Sequence, residues 1–64
     1  MNIWDFEYKR VEITTKKGNH FRGYVFDIMD KEEMDTQGAI VSIETDDGIN
    51  YGFPENDIEH IEAI

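Results

Sequence analysis

No cysteine occurs among the 64 residues, there is a single proline, and no lysine or arginine follows Lys31. Without cysteine there can be no disulfide framework, so a chain this short must be held by apolar packing or by association. The same absence fits a reducing compartment. Long apolar runs are missing too: stretches such as Ala39-Ile40-Val41 are the longest, whereas a membrane span needs about 18 apolar residues or more. Nor do the opening residues read as a charged-then-apolar leader. The expected location is cytoplasmic, with residues 1–64 forming one domain.

The shortage of bases has a position as well as a size. Six Lys+Arg against fifteen Asp+Glu give a net charge of −9. Lys9, Arg10, Lys16, Lys17, Arg22 and Lys31 all lie in the first half, and residues 32–64 carry acids alone. This excludes a uniformly basic nucleic-acid binder and leaves a bipolar surface. At 39% hydrophobic, with four Phe, three Tyr and one Trp, the chain is also no disordered acidic tail.

With so little proline, period-2 alternation runs almost unbroken. Val11 and Ile13 alternate with Arg10, Glu12 and Thr14; Phe21, Gly23 and Val25 alternate with His20, Arg22 and Tyr24. Placing Lys16, Lys17 and Gly18 in a three-residue loop, with Gly18 left-handed, sets Ile13 opposite Phe21 and Val11 opposite Gly23. Glu12 then faces Arg22 and Arg10 faces Tyr24, so an ion pair and a cation–aromatic pair fall on cross-strand positions. A second hairpin repeats the formula around Asp46-Asp47-Gly48, with Ile43 opposite Tyr51 and Val41 opposite Phe53. After Pro54 the spacing of Ile58 and Ile61 reads as one helical turn, followed by a short last strand with Ile61 and Ala63 inward. Lys31 to Gly38 is an acidic connecting loop. Residues 1–7, with Trp4 and Phe6 in alternation with Tyr8, read as a strand, an extended arm or a turn packed on the sheet. The expected fold is all-β: a small five-stranded SH3-like barrel with a single 3-10 turn before the last strand, an open β-meander being the alternative.

The run Val11-Glu12-Ile13-Thr14-Thr15-Lys16-Lys17-Gly18-Asn19-His20-Phe21-Arg22-Gly23-Tyr24-Val25, with Asp27 after it, resembles the first motif of Sm-like (LSM) proteins. The ending Asp57-Ile58-Glu59-His60-Ile61-Glu62 is similar to that of the short acidic LSM-domain proteins of low-GC Gram-positive bacteria. The resemblance spans roughly residues 8–64 and implies a five-stranded Sm-like barrel. It also implies ring assembly by pairing of the fourth and fifth strands, against which Pro54 removes a donor from the fourth. RNA binding is not carried across: Met29-Asp30 stands where RNA-binding members have an Asn, and Glu55-Asn56-Asp57 where they have Arg-Gly.

Two surfaces are candidates for contact. Arg10, Lys16, Lys17, His20 and Arg22 form a cationic face on the first hairpin able to meet phosphates, or simply a solvated strand face. Tyr24 and Phe26 lie on the parity opposite Phe21 and Val25; a bulge near Asp27 would turn Phe26 inward, and otherwise the two mark a protein contact. Phe21, Tyr51 and Phe53 read as core. The acids Asp27, Asp30, Glu32, Glu33 and Asp35 offer oxygen ligands but lack EF-hand spacing, so a solvated loop and no metal is the expectation. His20 and His60 read as surface residues. Thr14-Thr15 is a strand end and no glycine-rich phosphate loop occurs, so neither an enzyme nor a cofactor is expected. The functional expectation is a protein-interaction or self-associating module, with weak RNA binding as the alternative and a nucleic-acid mimic as a third class.

Overall fold

In the computed structural model, which describes residues 2–30 and 38–64, both hairpins form in the expected register. Strands β1 (Arg10–Thr15) and β2 (His20–Met29) pair antiparallel with Val11 opposite Gly23 and Ile13 opposite Phe21. Strands β3 (Ile40–Thr45) and β4 (Asn50–Pro54) pair with Val41 opposite Phe53 and Ile43 opposite Tyr51. The shared Thr-x-x-Gly turn has a common physical basis. Gly18 and Gly48 adopt φ of 91° and 82°, which L-residues disfavour, and each donates its N–H to the carbonyl of the threonine three residues before. The Thr15 and Thr45 hydroxyls then accept the N–H of Asn19 and Ile49.

β2 is bulged at Phe26. Val25 pairs with Ile43, Asp27 with Ser42 and Ile28 with Val41, so one residue is extra. The bulge does not turn Phe26 inward; that residue stays 41% exposed, and Ile28 goes into the core instead. The reason is electrostatic. Unbroken alternation from Phe21, Gly23 and Val25 would bury the Asp27 carboxylate, and the extra residue substitutes Ile28 for it.

A second irregularity explains the misleading spacing near the end. The 3-10 turn is Glu55–Asp57, and β5 runs over Ile58–Ala63 with a register shift opposite Thr14 and Thr15. That shift lets Ile58 and Ile61 both face inward three residues apart in a strand, a spacing that by itself reads as helix. Ala63, expected inward, is exposed. The N-terminal segment is not a strand: Ile3–Phe6 is another 3-10 turn, whose Trp4 N–H is accepted by Asn2 Oδ1 at 3.1 Å. Only Ile3 is fully buried there, while Tyr8 leaves the turn at φ 63° and donates its N–H to the Val25 carbonyl.

The strand order is β4-β3-β2-β1-β5. β5 thus returns to β1, which an open meander would not allow. All five strands are antiparallel and the sheet is not closed, so among the described residues β4 and β5 each have a strand partner on one side only. The sheet's inner face holds the core, where Val11, Ile13, Val25, Val41 and Ile43 have no accessible surface. No polar side chain among the described residues is buried with them. No helix among them is long and apolar enough to cross a membrane.

Candidate interaction surfaces

The cationic residues of the first hairpin do not act as one patch. Arg22 lies opposite Glu12, with Nε 3.5 Å from Oε2. Arg10 lies opposite Tyr24, but its guanidinium reaches across the sheet to Asp46, 36 residues on, with Nη1–Oδ1 at 2.9 Å and Nη2–Oδ2 at 3.5 Å. Arg10 therefore ties the start of β1 to the tip of the second hairpin. The hydrogen bond and charge of Arg10 hold the Asp46 carboxyl below its ordinary value of 3.8, and Asp46 raises the Arg10 guanidinium in turn. Because the shift is downward, the contribution of this pair is present above pH 3.8 and is lost as pH falls through the lower folded value. The expected NMR result is an Asp46 titration midpoint below 3.8 that moves up towards it in Arg10→Gln. A midpoint unchanged by the substitution would contradict the assignment.

His20 and His60 flank Thr14 on the outer face, since Thr14 pairs with His20 on β2 and with His60 on β5. His20 Nδ1 lies 3.0 Å from Thr14 Oγ1, and His60 Nε2 lies 2.8 Å from Glu62 Oε1. Lys16 and Lys17, at the tip, are different. Both are exposed, and no carboxylate among the described residues pairs with either.

The aromatics separate into two sets. Phe21, Tyr51 and Phe53 face inward, with ring centroids 4.8 Å (Phe21–Tyr51) and 4.9 Å (Phe21–Phe53) apart. Phe53 is buried, but Phe21 and Tyr51 are half-buried, because they lie at the end of the sheet where β3 gives way to its turn. Tyr24 and Phe26 face outward, at 40% and 41% exposure. The register also aligns Met29, Ile40 and Pro54 across β2, β3 and β4, an outer-face apolar row that sequence reasoning missed. Its signal was Ile40, which sits on the parity opposite to Val41.

Two shallow grooves meet at the inward aromatics. One, about 280 Å³, lies between the hairpins and is lined by His20, Arg22, Asp46, Asp47 and Tyr51. The other, about 270 Å³, lies where the sheet fails to close, between the β1–β2 tip and β4. Lys16, Lys17, Phe21, Gly52, Phe53 and Pro54 form most of its lining. Of the acidic cluster, Asp27 and Asp30 are exposed, while Glu32, Glu33 and Asp35 lie outside the described residues.

Comparison with protein-family models, curated proteins and solved structures finds no match to this chain.

Proposed function

We propose that the chain is a non-enzymatic, Sm-like small-barrel domain that works in the cytoplasm as a protein-interaction module, self-association included. The observation that carries this reading is the pair of sheet edges that have no partner strand among the described residues and stand in unlike surroundings. β4 is flanked by Lys16 and Lys17, whereas β5 exposes Glu59 and Glu62. An exposed edge is a template for a further strand, and opposite charges select the partner's orientation. Tyr24 and Phe26, exposed on the outer face, would add apolar area to such a contact. The Sm-like assignment draws support from the strand order, in which a four-stranded run is followed by a 3-10 turn and a fifth strand returning to the first. The test is the solution mass at low and at high salt. A mass above the 7.5 kDa monomer that rises with concentration, or a protein that co-purifies at low salt and is lost at high salt, is expected. A strict monomer throughout, with no protein co-purifying, would sink the reading.

Weak RNA contact is the second reading, favoured by Lys16 and Lys17, which pair with no carboxylate among the described residues, beside the half-buried Phe21 ring. Titration with short U- and A-rich RNA at low salt decides it; no binding there removes it.

A further inference from the structure

The groove between the first hairpin tip and β4 combines three features that meet nowhere else among the described residues. The first is a main-chain edge with no partner among the described residues. In an antiparallel ladder, alternate residues aim their N–H and C=O groups to opposite sides. Thr45 donates its N–H to the Ile49 carbonyl, so Ile49, Tyr51 and Phe53 face β3 and Asn50, Gly52 and Pro54 face away from it. Asn50 and Gly52 are both exposed, leaving two donors and two acceptors on that edge; the Pro54 carbonyl, at the N-cap of the following 3-10 turn, serves that turn instead. The second is an apolar floor of Phe21 and Phe53, with Pro54 beside them. The third is Lys16 and Lys17 on the opposite rim, without a carboxylate partner among the described residues, with Asp57 also lining the groove.

From this combination we infer that the groove binds a short extended peptide segment of another protein, in which apolar residues alternate with one or two carboxylates. The inference rests on the interaction-module reading and names its site and the partner's chemistry. Main-chain pairing to Asn50 and Gly52 supplies the strand geometry. Every second side chain of such a segment then points to the aromatic floor, and the intervening carboxylates reach the lysines. Asp57 limits the number of carboxylates the groove accepts. A second copy of this chain is a poorer occupant, since it brings a net charge of −9 towards another −9. A short segment with one or two acids does not incur that repulsion.

The experiment is a titration of the isotope-labelled full chain, at low salt, with acetyl-Val-Glu-Val-Glu-Val-amide. Expected are shift changes centred on the Asn50 and Gly52 amides and on Lys16 and Lys17. The Lys16→Glu, Lys17→Glu double variant should bind about 3–10-fold more weakly, the effect of losing two exposed ion pairs. Both positions are exposed in the turn, so the variant should keep the wild-type spectrum elsewhere. A peptide of the same sequence with N-methylated amides keeps the charges but cannot pair as a strand, and should not bind. Binding of acetyl-Val-Lys-Val-Lys-Val-amide with equal strength would overturn the inference. So would shift changes centred on β5, or no change at millimolar peptide. If association or a co-purifying protein is found while Gly52 stays silent, only this site assignment falls. A strict monomer with no co-purifying protein and no peptide binding removes the broader reading as well.

Discussion

Replacing Ile43 by alanine is expected to remove about half or more of the folding stability. Ile43 sits in β3, between β2 and β4, with no accessible surface, and it is among the largest fully buried side chains. Truncating such a residue costs about 2–5 kcal/mol, because the transfer free energy of the lost carbons is joined by that of the cavity they leave. At roughly 0.05–0.15 kcal/mol per residue, a chain of 64 residues has about 3–10 kcal/mol in total. Urea unfolding followed by circular dichroism should show a midpoint lowered by about half or more, with the slope unchanged if the variant still folds. Ile49→Ala is the control. Ile49 is 48% exposed beside the second turn, and its loss should stay within about 0.5 kcal/mol. Equal effects at the two positions would mean that the inner face of the sheet is not the core.

Gly23→Ala should be nearly as damaging for the opposite reason. Gly23 is buried in the middle of β2, and a Cβ there would stand 2.6 Å from the Glu44 carbonyl oxygen and 3.2 Å from Ile43 Cδ1. The first contact is with backbone, so no rotamer change relieves it. The strands must separate locally, at about 1–3 kcal/mol for overpacking of this kind. The two contacts can be told apart. Ile43→Val removes the Cδ1 atom and leaves the carbonyl, so adding it to Gly23→Ala should recover less than about 0.5 kcal/mol by double-mutant cycle. Full recovery would place the strain in the side chain and contradict the close β2–β3 approach.

Both residues lie on the inward parity that alternation marks, which shows how far the pattern reaches. Residues sharing a face follow from a period of two wherever the strand is regular. The three-residue turns then set the register of each hairpin without further information. The failures came where an extra residue interrupts the period. At Phe26 the interruption exchanges Asp27 for Ile28 in the core, and around Glu59 it gives β5 a helix-like spacing. Asp27 marks from within β2 that the alternation must break, but which side chain the extra residue leaves outward depends on the register with β3, which one strand's sequence does not contain. The contact surfaces were legible to a similar depth. The cations Arg10, Lys16, Lys17, His20 and Arg22 could be assigned to one hairpin, but not that Asp46 would take Arg10 from it.

The scarcities of cysteine, of proline and of bases after Lys31 therefore determined a definite part of this protein. They required a domain held by apolar packing, strands long enough to alternate, and a positive end confined to the first hairpin. Local rules are sufficient for these, because hairpin register and strand faces depend on residues close in sequence. Tertiary structure alone decided that β5 returns to β1 rather than lying beside β4, and that the sheet remains unclosed. It also decided that Lys16 and Lys17 stand across a groove from the edge of β4. Those relations join residues some 35–52 positions apart. They depend on how a twisted sheet curls to bury its inner face, which no local pattern encodes.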